Sequence, residues 1–502
     1  MIAQNMKNNI KLVHHLLDDA AALWPDRTAI ETKNQSVTFS ELQNRSIFYT
    51  SVLSNLGVFA GDRVVIEAHN NIDTVALMFA TLAIGAAFCP LHTSAPALQR
   101  DYVMVNSKAV ASIYQDHDTL VAKTETGTVH LPHFVRIKPQ HARHQCLADF
   151  SVNTISEDIA CLIYTSGSTG QPKGITCLHH QVIFAVNAIS EVLNYQPSDK
   201  VFVAQPLSFD YGLYQIFLCF EAGATLHLAD PRTASLSLLK ELSKTRATIL
   251  PAVPPMLDNL ALLGKRKPEA LKHLRLITNT GAAASQASVD RLRSCLPNLK
   301  FQLMYGLTEC KRATINPPDA DIDRPSSCGL PLRGTRITII DNDGHTVDPG
   351  IIGEIVVQGP HLMAGYWDDD IQNAKRYFVR NSTIKELRTG DYGWLDKDGY
   401  LYCQGRRDDI FKQRGYRISC SEIETAACMI KGVKSAVLVP PKNKYPSVLF
   451  ITFDDQEIDV IEELKKRLEE FKLPSKCISL PDIPTNSNGK FDRKQLEQLI
   501  HV

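Results

Sequence analysis

The sequence predicts an α/β protein: a large N-terminal domain of parallel-type sheets with a small β-rich portion, then a smaller mobile C-terminal α+β domain. Three observations predict it. Short apolar strand-like runs alternate with amphipathic helical stretches through most of the chain, closely spaced strands take over from Gly334, and a fresh strand–helix pattern starts after a charged, glycine-flanked segment at 405–415. Strand–helix alternation argues for parallel sheets covered by helices.

Each element has its own warrant. Arg63–Glu67 (RVVIE) reads as a strand, and Thr74–Pro90 as a buried helix running into a strand, because it is short for a membrane span and carries Gly85 and a terminal Pro. Ile159–Tyr164, Val201–Ala204, Ala247–Leu250 and Leu274–Thr278 are apolar strand runs, and Ser235–Leu242 and Ala287–Leu296 are amphipathic helices beside them. Arg336–Ile340 and Glu354–Gln358 belong to the β-rich portion. After GRRDDIFKQRG (Gly405–Gly415) come the helix SEIETAACMI, the strands SAVLVP and VLFITF, and the charged helix VIEELKKRLEEF. In that last helix Glu462 precedes Lys466, and Glu463 precedes Arg467, at the four-residue spacing of ion pairs on a solvated face. A boundary near Asp408 divides residues 1–407 from residues 408–502, the latter about a hundred residues and a plausible domain size.

Composition narrows the function. The chain has 502 residues, 44% of them apolar and 22% charged, as in a soluble globular enzyme. Lys plus Arg and Asp plus Glu are each 54, so no strongly basic surface points to nucleic acid or an anionic membrane. The N-terminus lacks the continuous apolar core and small-residue cleavage site of a signal peptide. The 12 cysteines are scattered without a CxxC pair, which suits reduced thiols in a cytoplasmic protein and argues against a zinc site.

The strongest local signal is Tyr164–Ile175, YTSGSTGQPKGI, directly after an apolar strand. Its glycines (Gly167, Gly170, Gly174) let backbone amides approach a polyphosphate, and Thr165, Ser166, Ser168 and Thr169 add hydroxyl donors. Lys173 supplies a point charge. The loop is not a Walker motif, because Gly174 and Ile175 follow the lysine. An arbitrary Gly/Ser run reads as a surface loop; the order SGSTGxPKG after an apolar strand favours a phosphate site.

On this loop the chain resembles the adenylate-forming superfamily of acyl-CoA synthetases, luciferases and peptide-synthetase adenylation domains, and three further stretches match in order. The resemblance implies ATP and Mg²⁺. It implies that Tyr305 of YGLTE stacks on adenine, that Thr308 contacts the α-phosphate, and that Glu309, with Thr169 or Thr308, places the metal. A hard cation on ATP phosphates uses one or two carboxylates, so the chemistry is sensible. By the same resemblance Asp391 in RTGDYG holds the ribose, with Arg406 as a second contact; read without the family, Asp391 is a turn residue. Lys490 in PTNSNGKFDRK resembles the catalytic lysine of the mobile domain, Asp408 its hinge, and Lys412 and Gly415 part of its thiol-transfer pattern.

The implied reaction is attack of a carboxylate on the α-phosphorus of ATP, release of pyrophosphate, and transfer of the acyl group to a thiol. Pro206–Gln215 (PLSFDYGLYQ) resembles the acid-pocket motif of amino-acid adenylation domains, with Asp210 in the place that binds the substrate ammonium. A helix-capping Asp is the other reading of that position. Carried over position by position, the pocket includes Tyr211, Tyr214, Ala252, Thr278, Thr280, Gly281, Met304, Arg312 and Ala313. The tyrosines and Met304 favour a small acid. Arg312 is unexpected in an apolar pocket; it pairs with Asp210 when empty, or meets a polar substrate side chain. Gly212-Leu213-Tyr214-Gln215 departs from the amino-acid pattern, which leaves the acid open. The acceptor is a free-standing phosphopantetheinylated carrier protein, since no carrier domain follows Lys490, or coenzyme A. An acyl-CoA synthetase for a non-amino acid and a nucleotide-binding module without turnover are the competing classes.

Overall fold

A computed structural model describes residues 12–116, 119–131, 153–166, 172–234, 237–280, 286–380, 384–406, 410–413, 416–442, 445–454, 458–468, 472–486 and 489–500. Two large mixed sheets build the N-terminal part. One has nine strands, and its centre is parallel: Lys300–Tyr305, Leu276–Asn279, Ile249–Ala252, Lys200–Val203, Thr225–Leu228 and Thr28–Glu31 lie side by side. Antiparallel strands close its edges at Thr314–Ile315, Leu330–Pro331 and Ser36–Thr38. The other has eight strands, with a parallel centre from Ile159–Ser166 through Ala87–Leu91 and Arg63–Glu67 to Ala111–Asp116. The parallel expectation therefore holds at the sheet centres, and hairpins finish the margins.

The apolar runs place the strands as the sequence suggests, with small shifts. Arg63–Glu67, Arg336–Ile340 and Val448–Phe453 are strands over the predicted residues, whereas the run at 247–250 becomes the strand Ile249–Ala252. Thr74–Pro90 is indeed a helix, Ile72–Ala83, feeding the strand Ala87–Leu91, and its helix is buried on every face. Such helices fill the space between the sheets and join one continuous apolar core. Among the described residues no helix is long and apolar enough to cross a membrane.

The β-rich portion is a five-stranded antiparallel sheet containing Arg336–Ile340, Gly353–Gln358, Tyr377–Arg380, Ile384–Leu395 and Leu401–Arg406, with its own core. The C-terminal part carries a three-stranded sheet, Val433–Val439, Val448–Phe453 and Lys476–Ser479, with separate apolar clusters. Residues 407–409, where the boundary and hinge are expected, lie outside the described residues. The charged helix is shorter than its pattern, Val460–Lys465; of the two expected four-residue pairs, Glu463–Arg467 forms and Glu462–Lys466 does not. Glu463 takes both Lys466 and Arg467, and Glu462 bonds Lys465 instead of Lys466. The helix ends before Lys466, so Lys466 turns to its three-residue neighbour Glu463 and leaves Glu462 to Lys465.

The C-terminal part docks on the large domain through polar contacts. Ser435 Oγ donates to Asp258 Oδ2 at 3.0 Å, and Arg291 reaches Asp454 at 3.4 Å and the Val433 carbonyl at 3.3 Å. Gly489, next to Lys490, comes close to Val253 just past the strand Ile249–Ala252, where a Cβ on the glycine would lie 3.4 Å from Val253 Cγ2.

Candidate active site

The phosphate-loop stretch begins on the strand Ile159–Ser166 and leaves on Pro172–Leu178, which pair antiparallel with Thr165 opposite Lys173. Residues 167–171, hence Gly167, Ser168, Thr169 and Gly170, and the side chain of Ser166 lie outside the described residues. Thr165 and Lys173 are half-buried at its two ends. Lys173 Nζ sits 5.6 Å from the ring centre of Tyr366. Tyr366 arrives on the short strand Gly365–Tyr366, paired with Pro172–Leu178, and its hydroxyl donates to Glu309 Oε1 at 2.6 Å. Tyr366 thus ties the loop lysine to the buried carboxylate of the YGLTE motif. Its only local sequence signal is a Gly-Tyr pair. The bond from Tyr366 goes to one oxygen of Glu309, and a carboxylate placed so suits a hard cation shared with phosphate oxygens.

The motif YGLTE follows the strand Lys300–Tyr305, at the C-terminal end of the parallel centre, where ligands of open α/β sheets bind. Tyr305 is buried and its hydroxyl donates to Asp391 Oδ2 at 2.7 Å. Asp391 lies on Ile384–Leu395, across from Arg406 on Leu401–Arg406, whose Nε is 3.4 Å from Asp391 Oδ1. Thr389 Oγ1 accepts the Asp391 amide at 3.1 Å, which fixes the turn after Gly390. Burial pushes the Asp391 carboxyl up, and Arg406 and the Tyr305 hydroxyl oppose it. The predicted adenine and ribose residues are therefore one bonded pair. Thr308 is half-buried beside them.

The acid pocket forms where the helix Asp210–Ala222 starts below the strands. Phe209 occupies the cap position and no side chain caps the helix, so Asp210 does not serve as a cap. Asp210 is 5% exposed and, among the described residues, forms no ion pair with Arg312, so the anticipated empty-state pair is absent. Arg312 instead donates to the Lys311 carbonyl at 2.8 Å and stands 4.9 Å from the Tyr211 ring centre, where the ring face attracts the cation. The Tyr211 hydroxyl donates to the Thr278 carbonyl at 2.9 Å and is 2.7 Å from Thr278 Oγ1. Ala252, Thr278 and Met304 are buried in strands, Thr280 and Ala313 are buried next to strand ends, and Gly281 lies outside the described residues. Gln215 faces away, accepting from Tyr195 at 2.9 Å. Gly212 permits the approach of the turn before the helix, since a Cβ there would lie 2.7 Å from the Pro206 carbonyl oxygen.

Lys311 escaped the sequence reading. It is 1% exposed, and its Nζ has no hydrogen-bond partner among the described residues. The hydroxyls of Tyr214 and Thr280 are likewise buried without partners. Such orphans are rare in a finished interior and mark polar groups that await a ligand or water.

Lys490 joins the two subsites. Asn486 Oδ1 accepts its amide at 3.1 Å, and Gly489, at φ +75°, turns the chain. Its Nζ lies 5.1 Å from the ring centre of Phe209, the residue before Asp210. Burial lowers the Lys490 pKa; Asp210 and Asp391 pull it up, while Arg312 and Arg406 push it down. One ammonium thus feels a carboxylate from the acid pocket and one from the ribose side. Asp408 and Gly415 lie outside the described residues, as does the side chain of Lys412 on the strand Ile410–Gln413.

Residues 17–367 match the family described as AMP-binding enzyme. Over 499 residues the chain is 27% identical to bacitracin synthase 1 of Bacillus licheniformis, with 97% of this chain but only 9% of that protein covered. The chain therefore spans a small part of that synthase. It is 26% identical over 511 residues to L-proline--[L-prolyl-carrier protein] ligase of Pseudomonas fluorescens, covering 98% of this chain and 100% of that protein. The solved structure of VinN is 36% identical at a TM-score of 0.67, covering 78% of this chain and 98% of VinN. A structure of VinN with L-aspartate matches at 35% and 0.66 over the same share of this chain.

Proposed function

Since the chain belongs to the AMP-binding enzyme family, we propose that it activates an amino acid with ATP to the aminoacyl-AMP, releases pyrophosphate, and passes the acyl group to the phosphopantetheine thiol of a separate carrier protein. The observation that supports this reading is that Lys490 Nζ lies 5.1 Å from the ring centre of Phe209, next to Asp210, and feels the carboxylates of both Asp210 and Asp391. The carrier-protein ligase of matching length supports the acceptor, and the L-aspartate complex of VinN supports an amino acid as the acid.

The residues divide the work. Tyr305, Asp391 and Arg406 hold adenosine, where a carboxylate accepts hydrogen bonds from a vicinal diol. Thr165, Lys173 and the glycine-rich stretch between them hold the leaving pyrophosphate. Asp210 receives the substrate ammonium, a partner that its burial demands. The substrate carboxylate oxygen then attacks the α-phosphorus as the bond to pyrophosphate breaks. Lys490 stabilises the negative charge gathering between them, so positioning and electrostatics supply most of the catalysis. Glu309 is the residue to hold Mg²⁺, which supplies charge neutralisation on the phosphate oxygens when bound.

Transfer to the thiol requires Lys490 to withdraw, and Asp408 is the proposed hinge, with Lys412 and Gly415 in the transfer arrangement. Asp408→Pro then blocks thiol transfer more than adenylate formation; equal losses refute the hinge.

Acid-dependent pyrophosphate exchange tests the reading. Label from pyrophosphate enters ATP only with the cognate amino acid, and Asp210→Ala abolishes it. Exchange supported by aryl or fatty acids and by no amino acid would overturn the amino-acid assignment. Thioester formation on coenzyme A but on no carrier protein would overturn the acceptor.

A further inference from the structure

The acid pocket holds more positive charge than a simple amino acid can answer. Among its described residues Asp210 is the one carboxylate, yet Lys311 and Lys490 both feel it, and Arg312 adds a third positive charge that Lys490 feels. Given the reaction proposed above, on which this inference rests, an amino acid brings one ammonium and one carboxylate. The ammonium answers Asp210 and the reacting carboxylate answers Lys490. Lys311 and Arg312 remain. Buried charges persist only when paired, so two cations with no carboxylate of their own once Asp210 takes the ammonium are a demand on the ligand.

Their placement is specific. Lys311 Nζ stands 5.4 Å from the ring centre of Tyr214, and Arg312 Cζ 4.9 Å from that of Tyr211. Asp210 and Tyr214 are four residues apart on one helix and share a face, so Lys311 looks onto the face that presents Asp210. Lys311 holds φ +59°, an unfavourable conformation for a residue with a Cβ. Gly306 is pressed against this bend: a Cβ there would lie 2.0 Å from the Lys311 carbonyl oxygen and 2.8 Å from Arg312 Cα. The protein offers Lys311 only thiols besides Asp210. Burial lowers the Lys311 pKa, but Cys177, Asp210 and Cys161 outweigh it and raise the net value. The Cys177 thiol is itself directed to the Ile175 carbonyl, with Sγ 3.6 Å from the oxygen.

We propose that the substrate is a dicarboxylic amino acid of about aspartate size, whose second carboxylate is received by Lys311 and Arg312 opposite the Asp210 that takes its ammonium. Tyr211, Tyr214 and Met304 occupy the remaining space and limit the acid to a short one.

The test is pyrophosphate exchange by the full chain with L-aspartate, L-glutamate, L-asparagine, L-alanine and β-alanine. L-Aspartate is expected to exceed asparagine and both alanines, each lacking one carboxylate, by at least about a hundredfold in kcat/KM, because the missing group leaves a buried cation unpaired. Lys311→Met should remove most of that ratio, and Lys311→Arg should keep part of it. ATP-induced thermal stabilisation verifies that each variant is folded. Cys177→Ala should leave the ratio unchanged; its collapse there would assign Lys311 to the thiol and overturn the proposal. Strong exchange with alanine or another monocarboxylic amino acid, without preference for aspartate or glutamate, overturns this inference but keeps the adenylation reading. Exchange with no acid at all overturns both.

Discussion

Replacing Tyr366 by Phe isolates one hydroxyl. The ring stays, and with it the contact to Lys173 at 5.6 Å; only the 2.6 Å donation to Glu309 Oε1 is lost. Glu309 is 9% exposed, so water does not readily replace that donor. A neutral donor to a buried carboxylate is worth about 1.5–3 kcal/mol, and each ~1.4 kcal/mol is a factor of ten. If Tyr366 orients Glu309 for the metal, the magnesium concentration for half-maximal pyrophosphate exchange rises by about 10- to 100-fold. The amino-acid KM, set in a different pocket, stays near that of the parent. The assay is exchange rate against free Mg²⁺ at saturating acid and ATP. An unchanged magnesium dependence, with rate and thermal stability falling together, would reduce Tyr366 to a structural role and detach Glu309 from the metal.

Three further outcomes follow from single contacts. Tyr305→Phe keeps the ring but removes the 2.7 Å bond to Asp391, so the KM for ATP should rise by about tenfold or more while amino-acid KM holds; an unchanged ATP KM would refute the coupling of adenine and ribose residues. Burial, with Arg312 and Arg406 nearby, holds Lys490 below the ordinary lysine pKa. Because the charged form acts, the alkaline limb of the adenylation rate should fall earlier than for a free lysine, and Lys490→Arg should flatten that limb at lower rate; a parental limb that starts at the pKa of an ordinary lysine would count against it. Asp258 is pushed up from 3.8 to about 6, by burial first, against donations from Ser288 and Ser435. A carboxyl raised on folding contributes stability that is complete below about pH 4 and lost as pH climbs through about 6, up to ~3 kcal/mol here. Asp258→Asn should therefore gain on the parent between pH 4 and 7 in chemical unfolding, and a flat difference would refute this origin.

Local pattern alone determined much of this protein. Strands at Arg63–Glu67, Arg336–Ile340 and Val448–Phe453 are readable because β-branched runs bounded by polar residues have few other uses in a soluble chain. The order of YTSGSTGQPKGI, YGLTE, RTGDYG and the late Lys490 resembles that of adenylate-forming enzymes, and through that resemblance implies an adenylating chemistry. Asp210 was legible through the resemblance of PLSFDYGLYQ to the acid-pocket motif of amino-acid adenylation domains, and a carboxylate there is costly unless it has a partner.

The tertiary structure decided which groups meet and which are left unanswered. That Tyr305 bonds Asp391, 86 residues on, and that Tyr366 bonds Glu309 depend on strands brought together from distant parts of the chain. The expected Arg312–Asp210 pair gave way to the Tyr211 face and a backbone carbonyl, because the bend at Lys311 directs the guanidinium there. Lys311 reads in sequence as one more cation beside Glu309. Only burial without a hydrogen-bond partner singles it out, and a missing partner is a property of three-dimensional surroundings that no run of residues encodes.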